Sequence, residues 1–364
     1  MRVARVEAIP YALPFRSPYA TARGTLERRG MVLLRLRTDG GVEGLGEAVP
    51  LTLRGGAGIR EIRAQIESAA ERLHGLELAT GDTEPLDVAI ATMLELTRPR
   101  RLAAPALAAL ECALLDLAAK LAGKPLWQLL NADRAAPVKC NATLVAGEPA
   151  LVAHDAKAWA AEGFATFKLK LGAGFDDVAT VREVRDAVGS EARLRLDANQ
   201  AWGVRDAIST LRELEPFDVE LCEQPVEGLR AMARVARDVD IALAADEAVA
   251  SEADAHRAVQ RRACRFATAK LSKVGGIGGA TTISRVLPTY LSSALDGPVG
   301  IAAAAHCAQV ITPVDLAHGL ATQRLFASSI AARECELGNG LLELPAGPGL
   351  GIELDDAALE RHRI

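Results

Sequence analysis

Lys168, Lys170, Asp197, Glu223, Asp246 and Lys270 follow one another at intervals that a repeating fold would impose. Each closes a short apolar run. Phe167 leads into Lys168-Leu169-Lys170, Arg195-Leu196 into Asp197-Ala198-Asn199, and Leu221-Cys222 into Glu223-Gln224-Pro225. Ala244-Ala245 leads into Asp246-Glu247, and Thr268-Ala269 into Lys270. From 170 the steps to 197, 223, 246 and 270 are 27, 26, 23 and 24 residues. A strand, a helix and two loops need about 25–30 residues, so each step fits one βα unit. Three carboxylates converging from neighbouring strands would repel one another unless a cation sat among them. Hard oxygen ligands suit Mg²⁺ or Mn²⁺ better than Zn²⁺. A lysine facing a cation and a second lysine has its pKa pushed down, which makes it usable as a base. A metal there would bind a substrate carboxylate and hold the charge of an enediolate once the α-proton leaves. Taken singly, each signal is weak: a Lys-x-Lys is usually solvated charge, and an acid after a strand more often caps a helix. The ordered series Lys, Asp, Glu, Asp, Lys carries the reading.

The surrounding elements must present these groups on one rim. Residues 1–50 read as strands, with Val3 to Ala12, Met31 to Leu36 and Val42 to Ala48 as runs and Asp39-Gly40-Gly41 as a hairpin turn. Residues 58–130 read as helical. Pro105 to Ala118 is apolar nearly all round, with only Glu111 and Asp116 charged, which predicts a buried helix. From Val138 onward, apolar runs alternate with helices such as Glu148 to Ala161 and Asp176 to Val188. The runs are Val138 to Leu144, Thr166 to Leu171, Arg193 to Asp197, Val219 to Glu223, Ile241 to Asp246, Ala267 to Leu271, Tyr290 to Ser293 and Ala317 to Leu320. The rhythm predicts an α/β fold, a TIM-type (β/α) barrel with its site at the C-terminal ends of the strands. An open doubly wound sheet comes second, because no GxGxxG opens any unit. Residues 1–125, completed by 330–364, are expected to form an α+β capping domain, and 126–329 the barrel. The Ser17 to Gly24 loop is expected to fold over the barrel mouth and exclude water.

A formal charge of −5 and a pI near 5.8 argue against nucleic acid as a partner. No apolar run is long enough to span a bilayer, and no basic patch suggests membrane binding. Met1-Arg2-Val3-Ala4-Arg5 lacks the apolar core of a signal peptide. The six cysteines form no CxxC pair, which suits free thiols in the cytoplasm. The six histidines show no pairing and receive no catalytic role. The expected partner is a small carboxylate; a homo-oligomer stays open.

The pattern Lys-x-Lys, Asp-x-Asn, Glu-Gln-Pro, Asp-Glu and Lys followed by Gly275-Gly276 resembles the enolase superfamily, muconate-lactonizing subgroup, over nearly the whole chain. Gly46-Glu47-Ala48-Val49-Pro50, Ala108 to Asp116, Gly123-Lys124-Pro125-Leu126 and Pro348-Gly349-Leu350-Gly351 are similar to that family's cap, barrel-entry and return segments. The resemblance implies Mg²⁺ on Asp197, Glu223 and Asp246, with Mn²⁺ as the alternative. It implies Lys170 and Lys270 as acid/base groups on opposite faces of the substrate. Lys168 would lie beside the substrate carboxylate, Asn199 and Glu247 near the metal, and Lys273 would point away. Tyr290 to Leu295 and His318 to Thr322 resemble the seventh- and eighth-strand segments of o-succinylbenzoate synthases of menaquinone biosynthesis, so Ser292, Ser293 and Gly319 would border the substrate. Ser292-Ser293 also fits ordinary turn chemistry. The Asp-x-Asp with which dipeptide epimerases grip a substrate ammonium is missing. The expected reaction is therefore dehydration to an aromatic carboxylate. Racemisation of N-acyl or N-succinyl amino acids is second and muconate-type cycloisomerisation third. A Schiff-base aldolase is disfavoured by the carboxylate triad, and a non-catalytic binding barrel by the complete set of lysines and acids.

Overall fold

The computed structural model describes residues 1–21, 24–52, 55–77, 85–97 and 102–364. Strands β1 (Val3–Thr21), β2 (Gly24–Thr38) and β3 (Glu43–Ala48) form an antiparallel sheet in the order β1-β2-β3. Met31, Val32, Leu33 and Leu34 are all fully buried, so both faces of β2 are covered there and the run is continuously apolar rather than alternating. Helices α1 (Ile59–Leu73) and α3 (Ala104–Leu121) pack on this sheet and on each other, and α2 (Pro85–Thr97) packs on α3.

The closest contact lies between β3 and α3. A Cβ on Gly46 would fall 1.9 Å from the Ala109 carbonyl oxygen, and one on Gly44 would fall 2.3 Å from that of Ala113. The sheet lies directly on the Ala-rich backbone of α3, and neither partner can yield. Gly46→Ala is therefore expected to destabilise the protein by about 3 kcal/mol or more, read by urea denaturation. Asp116, charged within the apolar helix, is fully buried. It accepts hydrogen bonds from the backbone N–H of Leu45 (2.8 Å) and Leu350 (2.7 Å) and from Lys120 Nζ (2.7 Å). One carboxylate thus ties β3, α3 and the C-terminal segment together. Ile364 N–H donates to Pro10 O as the chain end returns to β1.

Strands β5 (Ala142–Leu144), β6 (Thr166–Lys170), β7 (Arg193–Asp197), β8 (Val219–Glu223), β9 (Leu243–Ala245), β10 (Phe266–Ala269) and β11 (Thr289–Leu291) form a parallel sheet in strict chain order, with helices between them. This is the expected (β/α) arrangement. Two details differ from the sequence reading. The run from Val138 splits: β4 (Val138–Lys139) pairs with Leu341–Glu343, and only β5 joins the barrel sheet. Residues 317–320 form no regular strand, yet single parallel bridges Cys140↔His318 and Ser292↔Gly319 occupy the eighth position and close the ring. Hydrogen bonds from His318 N to Lys139 O and from Ser293 N to Gly319 O provide that closure.

Two glutamates, Glu47 buried and Glu111 half-buried, dock the cap on the barrel. Glu47 Oε1 accepts from Gly297 N (2.6 Å), at the start of helix Pro298–Cys307, and Oε2 accepts from Tyr11 Oη (2.7 Å). Glu111 accepts from the N–H groups of Ile277 and Gly278, at the start of helix Ile277–Ser284. Both carboxylates sit where a helix dipole favours negative charge. Burial, aided at Glu47 by Asp296, nevertheless pushes each up to about 7 from an ordinary 4.5. A raised acid pKa means the folded state resists ionisation. Stability from these groups is full below pH 4.5 and is lost as pH rises through 7. Denaturation free energies measured from pH 5 to 8 should decline by on the order of 1–3 kcal/mol, and Glu111→Gln should flatten part of that slope.

Candidate active site

The register of the parallel strands brings the ionisable groups onto one rim. Lys170 is opposite Asp197, and Asp197 is opposite Glu223. Asp246 and Lys270 lie just beyond the short strands β9 and β10, so both are loop residues. Period-two alternation turns Lys168 with Lys170, Arg195 with Asp197, and Leu221 with Glu223 toward the barrel interior. Strands β6 and β10 are four places apart in a ring of eight, so Lys170 and Lys270 face each other across the mouth.

Asp197, Glu223 and Asp246 are fully buried, and ammonium groups hold each of them. Lys168 Nζ bridges Asp197 Oδ2 (2.9 Å) and Glu223 Oε2 (2.7 Å). Lys170 Nζ donates to Asp197 Oδ2 (2.6 Å) and Asn199 Oδ1 (2.9 Å), and Lys270 Nζ to Asp246 Oδ2 (2.5 Å). Lys273, expected to point away, instead donates to Asp246 Oδ1 (2.9 Å), Asp246 O (2.5 Å) and Thr268 O (2.7 Å). A carboxylate buried this deeply needs a counter-charge, and the helical turn after Lys270 carries Lys273 back under it.

The electrostatics follow from this pairing. Burial alone would raise Asp197, but the Lys168, Lys170 and Lys270 ammoniums outweigh it and hold Asp197 well below the usual carboxylate range. Burial would lower Lys168 and Lys170, yet the carboxylates win and both are raised. The lowering expected from the sequence presupposes a cation among the carboxylates; lysines that face the carboxylates directly shift the other way.

The triad stands at the strand ends as expected, but its oxygens are not gathered into a cage. Among the described residues no group of three or more His, Cys, Asp or Glu is arranged to hold a metal. The donor chemistry nonetheless fits a hard divalent ion. Three buried carboxylates share the rim, and Glu223 Oε1 is buried with no hydrogen-bond partner among the described residues. Such an orphaned carboxylate oxygen is where a cation belongs.

A cavity of about 760 Å³, counting its open mouth, lies over these groups. Lys168, Lys170, Asn199, Lys270, Thr143 and Thr322 line it from the barrel, and Ser292 to Leu295 form another wall. The cap contributes Tyr19, Leu26, Arg29, Pro50 and Leu51; of these the sequence reading names only Pro50, in its cap motif, and puts Tyr19 in an expected loop where the structure has the end of β1, with Tyr19 paired to Leu26 on β2. Tyr19 is fixed by stacking on Phe15 (5.4 Å), itself stacked on Phe326 (4.9 Å). Ala22 and Arg23 of that loop lie outside the described residues. Ser293 borders the cavity, but its hydroxyl donates to Asp296 Oδ2 (2.7 Å) and accepts from Asp296 N (2.8 Å), so it is committed to the loop. Gly319 is not among the lining residues; it permits the close approach of its own segment to Ser292, since a Cβ there would sit 2.7 Å from Ser292 Oγ. His318 is half-buried, lowered to a pKa of about 4 by desolvation and so neutral, and accepts from Leu291 N at Nδ1 (2.9 Å), a structural role. Tyr290 was missed as a site residue. Its hydroxyl donates to Glu223 Oε2 (2.5 Å), and its spacing of two from Ser292 is the signal that places both on the inner face.

Comparisons with known proteins agree with this geometry. Residues 4–131 match the family model described as mandelate racemase / muconate lactonizing enzyme, N-terminal domain, and residues 151–358 match enolase C-terminal domain-like. L-Ala-D/L-Glu epimerase of Bacillus subtilis is 31% identical over 369 residues, covering 97% of each chain. Muconate lactonizing enzyme from Pseudomonas fluorescens, solved with muconolactone, superposes with a TM-score of 0.92 at 28% identity, covering 100% of this chain and 99% of that one. Dipeptide epimerase from Enterococcus faecalis V583, solved with Mg and L-Leu-L-Tyr, gives 0.88 at 29% identity, covering 97% and 100%. Over both its cap and its barrel, then, the chain belongs to the enolase superfamily, in the mandelate racemase / muconate lactonizing enzyme subgroup, and is an enzyme of that family.

Proposed function

We propose that the enzyme removes the α-proton of an anionic carboxylate substrate that carries no free amine. The charge of the cavity wall supports this: Lys168, Lys170, Lys270 and Arg29 border it, and no Asp or Glu is among the described residues that line it. A substrate ammonium would find no counter-charge there, and the acids that dipeptide epimerases use for it have no counterpart around Gly319.

In this reading Asp197, Glu223 and Asp246 hold Mg²⁺, with Mn²⁺ as an alternative. When bound, the ion supplies positive charge for the substrate carboxylate and for the enediolate. Asp197 is then no longer the counter-charge of Lys170, and burial, the largest influence on that lysine, is left to lower its pKa toward that of a base. Lys168 steadies the substrate carboxylate, and Asn199 orients Lys170 through the contact at its Oδ1. Residues 1–125 with 330–364 act as the cap that closes the cavity over a barrel of 126–329. The six free cysteines favour a reducing compartment, and we place the enzyme in the cytoplasm.

For the reaction itself, dehydration of the o-succinylbenzoate synthase type is the first reading. Lys170 takes the α-proton at Nζ and returns a proton to the departing hydroxyl on the same face, so that water leaves. Lys270 supports the enediolate from the other wall. The Ser292 side chain on the cavity wall favours a second carboxylate arm on the substrate, to which its hydroxyl can donate. Racemisation of an N-succinyl amino acid is the second reading, favoured by the opposed placement of Lys170 and Lys270. The test is turnover of the hydroxycyclohexadiene precursor of o-succinylbenzoate beside solvent deuterium exchange into both enantiomers of an N-succinyl amino acid. Exchange into both enantiomers without turnover of the precursor would replace the first reading with the second. Activity only on a free-amine dipeptide would overturn the amine-free substrate itself.

A further inference from the structure

We propose that Tyr290 is a positioning residue for the divalent cation, fixing Glu223 so that one carboxylate oxygen is committed to the protein and the other is presented to the metal. This inference rests on the reading that Asp197, Glu223 and Asp246 hold Mg²⁺.

The donors around Glu223 are distributed unevenly. Tyr290 Oη donates to Oε2 (2.5 Å), and Lys168 Nζ reaches the same oxygen (2.7 Å). Oε1 is buried and has no partner among the described residues. A carboxylate held only by Lys168 could rotate and exchange its two oxygens. A second, rigid donor on Oε2 removes that freedom and leaves Oε1 as the oxygen to meet a cation.

Tyr290 is built for this task. It stands on β11 one layer beneath Ser292 and is fully buried inside the barrel, packed with Leu221, Ala244 and Leu316. Its contact crosses the interior to β8, three places away in the sheet, and the small Ala244 leaves the passage clear. The Arg195 guanidinium lies over the Tyr290 ring, 5.0 Å from its centroid. Arg195 is itself held by Glu220 and by Ala317 O (2.5 Å), so the ring is clamped from below. Partners one shell out from a metal commonly set its affinity by orienting the ligand, and their loss weakens binding about 10–100-fold.

The test is Tyr290→Phe in the full chain, which keeps the ring and the Arg195 stack and removes only the hydroxyl. Chelator-stripped wild type and variant are titrated with Mg²⁺ by calorimetry, and both are melted in EDTA as a fold control. We expect a Kd about 10–100-fold higher in the variant, with melting in EDTA lowered by only a few degrees. A purely packing role would lower that melting temperature and leave the Kd alone. If the variant does not fold, ¹⁹F spectra of 3-fluorotyrosine-labelled wild type serve instead. The chain has three tyrosines, and Tyr11→Phe and Tyr19→Phe assign the Tyr290 signal by elimination. Mg²⁺ should shift that signal. Equal dissociation constants, or an unmoved signal, overturn the role of Tyr290 while the metal reading stands. A wild type that binds no Mg²⁺ overturns both.

Discussion

Lys170→Ala is expected to lower kcat by about 10²–10⁴-fold on whichever substrate the enzyme turns over, because in both proposed readings this lysine exchanges a proton with the α-carbon. No neighbour can replace it. Lys168, two residues back on the same strand, is pinned between Asp197 and Glu223, and Lys270 approaches from the opposite wall. Lys270→Arg separates the two readings. It keeps the positive charge beside Asp246 but replaces an ammonium that can lose its proton with a guanidinium that cannot at neutral pH. A dehydratase should retain measurable turnover, since the residue there only stabilises charge. A racemase should lose exchange into one enantiomer. Steady-state rates with the cyclohexadiene precursor, together with deuterium incorporation into each N-succinyl enantiomer, read both outcomes. Retained activity in Lys170→Ala would remove that lysine from the chemistry.

Divalent-cation removal should have an effect of comparable size. Dialysis against a chelator is expected to bring turnover to background, and Mg²⁺ should restore it. Glu223→Gln should raise the Mg²⁺ concentration needed for half-restoration by about 100-fold or more, since a direct ligand matters at least as much as an outer partner. The amide keeps the shape of the side chain and can still accept from Tyr290, so this loss is separable from that of Tyr290→Phe. Lys168 keeps Asp197 as its counter-charge, so the variant should still fold, which circular dichroism checks. Full activity in EDTA would remove the carboxylate triad as a metal site.

The barrel class and the rim were legible in the linear order of residues. A strand and a helix consume a nearly constant length of chain, so charges spaced by 23 to 27 residues had to arrive on successive strands. The period of two within a strand likewise dictated that Lys168 and Lys170 share a face. Those regularities come from backbone geometry, which is local. What the side chains do on arrival is not local. Lys273 turned under Asp246, Ser293 gave its hydroxyl to Asp296, and Tyr290 reached across to Glu223 because buried charges must find partners wherever the fold brings them. The same holds for Glu47 and Glu111. Their sequence neighbourhoods say nothing of the helix starts at Gly297 and Ile277 that they satisfy, 250 and 166 residues away. Closure of the ring by His318 and Gly319 was foreseen only as a strand, since two single bridges leave no apolar alternation to read. The sequence determined the order of the groups around the rim. The tertiary structure alone decided which of them neutralise one another, because that choice is set by burial and charge balance across the whole barrel.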